Sequence, residues 1–100
     1  MSQKKPQQLQ IKLQQDGESA EPKFSNMATI EHSDDTFLVD FLFVHARTRY
    51  GKLLSRVALT PAHAKRLLNA LQENVSRYEE KHGPIVQTPA PVSPSDMDVN

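Results

Sequence analysis

Cysteine and tryptophan are absent from these 100 residues. Without a thiol there is no disulfide staple, no thiolate nucleophile and no Cys-ligated zinc or iron–sulfur site. Glycine is scarce, at three residues, and neither GxGxxG nor GxxxxGK(S/T) occurs. No phosphate-cradling loop is therefore expected, and no cofactor. Net charge is also missing: 12 Lys and Arg balance 12 Asp and Glu. That argues against a strongly basic nucleic-acid coat protein or a strongly acidic tail protein. The longest apolar runs are far below the ~18 residues that span a bilayer. Met1-Ser2-Gln3-Lys4-Lys5-Pro6 leads into Gln-rich sequence, not into an apolar stretch of the secretory kind. A cytoplasmic location is the expectation, with no membrane partner. The length suits one domain.

What is present divides into three parts. Six of the first fifteen residues are Gln, and Asp16 to Pro22 is polar loop sequence. Residues 1–23 therefore read as a polar N-terminal segment. Leu9, Ile11 and Leu13 alternate with polar residues, which allows an edge strand over 8–14. All aromatic residues fall between Phe24 and Tyr78, so 24–82 reads as the single folded domain. Residues 83–100 hold Pro84, Pro89, Pro91 and Pro94 among Ser, Thr and Asp, the composition of a disordered Pro-rich tail. The charge is uneven. The N-terminal part carries four Lys and three acids, the middle eight basic and seven acidic residues, and the tail only Asp96 and Asp98.

Within the middle part, 24–32 suits a strand and Ser33-Asp34-Asp35 suits a turn, because Ser and Asp side chains bond nearby backbone groups. Thr36 to Val44 is rich in aromatic and β-branched residues and predicts a strand. His45 to Lys52 predicts a hairpin connection, and Leu53 to Thr60 the returning strand. Thr60-Pro61 then opens a helix: Thr accepts from a first-turn amide, and Pro is tolerated where its missing donor is not needed. Ala64, Leu67, Leu68, Leu71, Val75 and Tyr78 form one helical face, and Gly83-Pro84 ends it. The predicted fold is α+β: an antiparallel meander of three to four strands with one long C-terminal helix packed on one face.

Alternation puts Phe37, Val39, Phe41 and Phe43 on one side of the sheet, with Leu53, Val57 and Leu59, as the floor for the helix. The other side carries Leu38, Asp40, Leu42 and Val44 with Leu54, Arg56 and Ala58. A half-exposed sheet should be polar there, and this face is largely apolar. Asp40 and Arg56 would form a cross-strand pair if they sit opposite. Either the N-terminal strand or a second subunit would cover this face. A fold of about 60 residues is marginal alone, since ordering at about 1.5 kcal/mol per residue nearly cancels its apolar burial. A homodimer is therefore expected. The helix adds a second clue. His63, Lys65 and Arg66 lie near its start, while Glu79 and Glu80 lie near its end, against the helix dipole. In an antiparallel pair, Lys65 and Arg66 would lie beside Glu79 and Glu80 of the other subunit.

Catalytic and metal chemistry finds little support. None of His32, His45, His63 and His82 has the spacing of a helical metal pair, and HExxH is absent. His32 lies beside Asp34 and Asp35, which a polar turn explains. Asp40 sits in an apolar strand, where burial would raise its pKa, but Arg56 is a neutralising partner. Catalysis by Asp40 with His63 is the weakest of the readings, and no enzyme is expected. The hairpin holds Arg47, Arg49, Tyr50 and Lys52, types that bind phosphates and stack on bases. A charged tip that discourages edge pairing is the simpler account. The sequence thus predicts a non-enzymatic interaction module that self-associates. The alternative is a weak nucleic-acid binder using the basic hairpin and helix start.

Four segments carry a family resemblance. They are Phe24-Ser25-Asn26, Phe37 to Phe41, Ser55 to Leu67 with its Thr-Pro-x-His-Ala-Lys run, and Leu71 to Glu79 with Asn-x-x-x-Tyr-Glu. Together they resemble the bacterial and archaeal domain-of-unknown-function 3467 family, from about Phe24 to His82. The hairpin tip and both ends lie outside these segments. The resemblance implies a small, uncharacterised cytosolic domain and transfers no catalytic residue. It marks Asp40, Arg56, His63, Lys65, Asn74 and Tyr78 as motif positions.

Overall fold

A computed structural model describes residues 10–97. Its central feature is a three-stranded antiparallel sheet in the order β1 (Met27–His32), β2 (Phe37–His45) and β3 (Tyr50–Leu59). One long helix, α1 (Pro61–His82), follows. A single helical turn covers Gly17–Ala20, in sequence that reads as loop, and a 3-10 turn covers Pro94–Asp96. The meander and the C-terminal helix are those the periodicities predict.

Local chemistry explains each junction. In the β1–β2 turn the Ser33 amide donates to the Thr36 carbonyl at 2.9 Å, and the hydroxyls of Ser33 and Thr36 both donate to Asp35 Oδ1. The β2–β3 loop is shorter than expected, because strand pairing resumes at His45 and Tyr50. Arg49 closes that loop at φ 58°, a left-handed conformation unusual for a residue with a side chain. Thr60 caps α1 by accepting from the His63 amide at 3.1 Å, with Pro61 at the first helical position. Gly83 ends the helix at φ 91°, where a β-carbon would be strained, and its amide donates to the Glu79 carbonyl. The last turn carries Lys81 and His82, so the end of the helix suits the dipole despite Glu79 and Glu80.

The register sorts the sheet faces. Ile30, Val39 and Val57 share a row, as do His32, Phe37 and Leu59. On the other face Thr29, Asp40 and Arg56 share a row, as do Met27, Leu42 and Leu53. A bulge intervenes on β3: Ser55 faces Phe41, Leu53 faces Leu42, and Leu54 is the extra residue. Leu53 therefore lies on the Asp40 side, not on the Phe37 side where plain alternation puts it. The added residue reverses the side chains between the bulge and the hairpin, and leaves Arg56, Val57 and Leu59 where alternation puts them.

Two expectations about coverage need correction. The N-terminal strand does not form in its described part. Residues 10–14 carry no strand, Ile11 and Leu13 are exposed, and Gln8 and Leu9 lie outside the described residues. The helix also does not pack on a sheet face. It buries none of its residues and touches the sheet sparsely, at β3. Only Thr60, in extended conformation, separates β3 from α1, so the chain lacks the length to turn the helix back across the sheet.

The core is correspondingly small. Among the described residues only Met27, Val39, Val44 and Leu59 are buried, two on each sheet face. The accessible surface is 9630 Å², where a compact monomer of this mass exposes about 5,700 Å². The radius of gyration is 18.3 Å, against about 13 Å for a compact chain of this length. The described segments at 10–16 and 83–93, which lie outside strand and helix, contribute to both figures.

Candidate interaction surface

The site is built from the strand face that carries Asp40. Register places Asp40 directly opposite Arg56, as the sequence suggested. The guanidinium grips the carboxylate with two bonds: Nε donates to Oδ1 at 2.8 Å and an Nη to Oδ2 at 2.9 Å. Such a fork fixes both groups. The Asp40 side chain is 17% exposed and that of Arg56 47%. The bond from Arg56 holds the Asp40 carboxyl below the usual aspartate range, against the opposing effect of desolvation and with a smaller contribution from the Arg56 charge. Asp40 in turn pushes the Arg56 guanidinium up, chiefly through the same bond and then through its charge. Both carboxylate oxygens are occupied, which supports a structural pair over an acid–base catalyst.

Around this pair the face is apolar. Leu38, Leu42 and Leu54 are half-buried, and Leu53 is exposed. Val44 is a correction to the set of surface candidates. It is one of the four buried side chains, so it serves the core and offers little surface.

The backbone of Val44 is held by residues whose role is not apparent from residue type alone. Asn26 precedes β1, and its side-chain amide imitates a strand residue. Nδ2 donates to the Val44 carbonyl and Oδ1 accepts from the Val44 amide, each at 2.9 Å. The Ser25 hydroxyl donates to the Leu42 carbonyl at 2.8 Å, and the Asn26 amide donates to the same oxygen at 3.1 Å. Phe24 sets its ring edge-on to Phe43, with centroids 5.9 Å apart. The Phe-Ser-Asn segment thus continues the ladder beyond the end of β1. Its value as a signal lay in the family motif, and its geometry could only be seen once the strands were paired.

The second apolar surface is the helix stripe. Leu67, Leu68, Leu71 and Tyr78 are all exposed, with Leu71 at 59%. Ile85 lies beside Asn74, Val75 and Tyr78 around an open cleft, and its amide donates to Glu79 Oε2 at 2.8 Å. Glu79 is therefore half-buried, while Lys65, Arg66 and Glu80 are exposed. Tyr78 also meets the His82 ring at 4.6 Å. Asn74 donates to the Ala70 carbonyl, and Arg77 lies 3.9 Å from Glu73 in an exposed pair of little energetic weight.

The basic residues do not converge. Arg47, Arg49, Tyr50 and Lys52 are exposed at the hairpin tip. The start of α1, with His63, Lys65 and Arg66, follows the other end of β3, a strand of ten residues. At about 3.3 Å per residue that separates the groups by roughly 30 Å. His32 stacks on Phe37 with ring centroids 5.3 Å apart. Among the described residues no group of three or more His, Asp or Glu is placed to hold a metal ion, and no helix is long and apolar enough to cross a membrane.

With this geometry in place, comparison adds one positive finding. The family model described as "Protein of unknown function (DUF3467)" matches residues 1–87. That span is wider than the four motif segments and takes in the N-terminal segment and the hairpin tip. No curated protein and no solved structure matches the chain.

Proposed function

We propose that this chain, which belongs to the DUF3467 family, is a non-enzymatic interaction module that self-associates through the Asp40 face of its sheet and through α1. One observation carries the reading: a helix of 22 residues with a continuous apolar stripe fully buries none of its side chains within the subunit. Most helical stability in proteins comes from packing of the apolar face. A partner is the standard remedy for a core this small. The Asp40–Arg56 fork supports the same reading. It neutralises the two charges in the middle of an apolar face, and it leaves the surrounding leucines for contact with a second copy. The reading needs no cofactor. A cytoplasmic site of action belongs to the proposal.

Sedimentation velocity at low micromolar concentration tests it. The expected mass is twice the 11.3 kDa of the chain. A purely monomeric species overturns the proposal.

A further inference from the structure

The apolar row of α1 has a property that amphipathy does not require. Ala64, Leu67, Leu71, Val75 and Tyr78 are separated by three, four, four and three residues, the same read from either end. At about 100° per residue these side chains lie within about 40° of the Leu71 direction. The row is therefore self-complementary when one helix is reversed against a copy of itself. We propose that two copies of this chain pair through α1 as an antiparallel two-fold seam centred on Leu71. The inference rests on the self-association reading above and assigns its geometry.

In this seam Leu71 meets the partner's Leu71, and Leu67 meets the partner's Val75. The small Ala64 meets the large Tyr78 of the partner subunit, so volumes match along the whole row. A parallel pair would set Ala64 on Ala64, leaving a gap, and would crowd Tyr78 on Tyr78.

One flanking charge pair fits the same orientation. Lys65 and Glu79 lie on the same flank of the row, about 120° and 80° from Leu71. Reversing one helix brings Lys65 beside the partner's Glu79, and the two-fold repeats that contact. Arg66 and Glu80 point about 140° and 180° away from the seam. The four-residue charge pattern of the sequence thereby narrows to Lys65 and Glu79. Glu79 is also the residue whose position is fixed, through the bond from the Ile85 amide.

The lack of cysteine makes a direct test possible, because any introduced thiol is unique. Packed helix axes lie about 8–10 Å apart, which brings facing Cα atoms to roughly 3.4–5.4 Å, overlapping the disulfide range. Leu71→Cys under mild oxidation should yield linked dimer as the main species. Leu67→Cys and Val75→Cys should each link poorly alone, since each lies about 12 Å along the axis from its own copy. Mixed together, they should form the linked heterodimer. Circular dichroism confirms that each variant folds, and the mixed pair keeps the test valid if Leu71→Cys does not. Self-linking at residues 67 and 75 with no mixed product overturns the seam in favour of a parallel pair. A dimer by sedimentation with neither the Leu71 link nor the mixed link overturns the seam and leaves self-association standing. A monomer by sedimentation overturns both.

Discussion

The middle strand β2 and the helix α1 are both well specified by local sequence, yet they reach opposite fates. β2 is paired on both sides and carries two of the four buried side chains, Val39 and Val44. α1 has a hydroxyl cap at its start, Gly83 at its end and a clear apolar stripe, and none of its residues is fully buried. The difference teaches that forming an element and burying it are separate events. Turns and caps act over a few residues. Burial needs a second surface within reach, and the one-residue link at Thr60 denies α1 the sheet.

The largest expected effect separates the two regions by one kind of substitution. Leu59→Ala removes a buried side chain next to the end of β2 and should lower stability by about 2–4 kcal/mol at any protein concentration. Leu71→Ala should cost under about 1 kcal/mol in dilute solution, where this exposed side chain has little to lose. Its penalty should grow as protein concentration rises, because coupled association stabilises the native chain by mass action. Urea denaturation at several concentrations measures both. A concentration-independent loss at Leu71 equal to that at Leu59 would erase the distinction.

A smaller effect probes how β2 is held at its far end. Asn26→Ala removes both bonds to Val44 and leaves its amide and carbonyl without a protein partner on that side. The expected loss is about 1–3 kcal/mol. Hydrogen exchange of the Val44 amide should accelerate with it, while amides in the middle of α1 keep their rates. Uniform acceleration across the helix would show that the two regions open together.

The smallest effect concerns the charge pair on the β2–β3 face. Asp40 is held below its ordinary range in the folded chain, so its ion pair stabilises the fold above that range. The contribution is lost as pH falls through the depressed value. Arg56→Met should therefore be less stable than the parent near neutrality, and the two should converge in acid. Denaturation midpoints that stay equally far apart at every pH would show that the fork contributes nothing through its charge.

Most of the secondary structure was legible in the sequence. Aromatic and β-branched density marked β2, Ser33-Asp34-Asp35 marked the turn, and Thr60-Pro61 with Gly83 bracketed α1. The Asp40–Arg56 contact was legible too, because alternation and a single hairpin fix which residues face each other. Leu53 was misplaced because a bulge leaves no clear mark in residue type. Asn26 was visible only as a motif residue, since its bonds reach eighteen positions along the chain.

The sequence by itself determined where the strands, turn and helix lie, and the self-complementary spacing along α1. These depend on interactions within a few residues, which residue order specifies directly. Only the tertiary structure decided that neither the N-terminal segment nor the helix covers the sheet within its described residues. It also decided that Val44 belongs to the core and that the basic groups lie at opposite ends of β3. Those outcomes depend on the path of the chain between elements. A single extended residue at Thr60 and one extra residue at Leu54 set that path, and the bulge at Leu54 does not announce itself through composition or period.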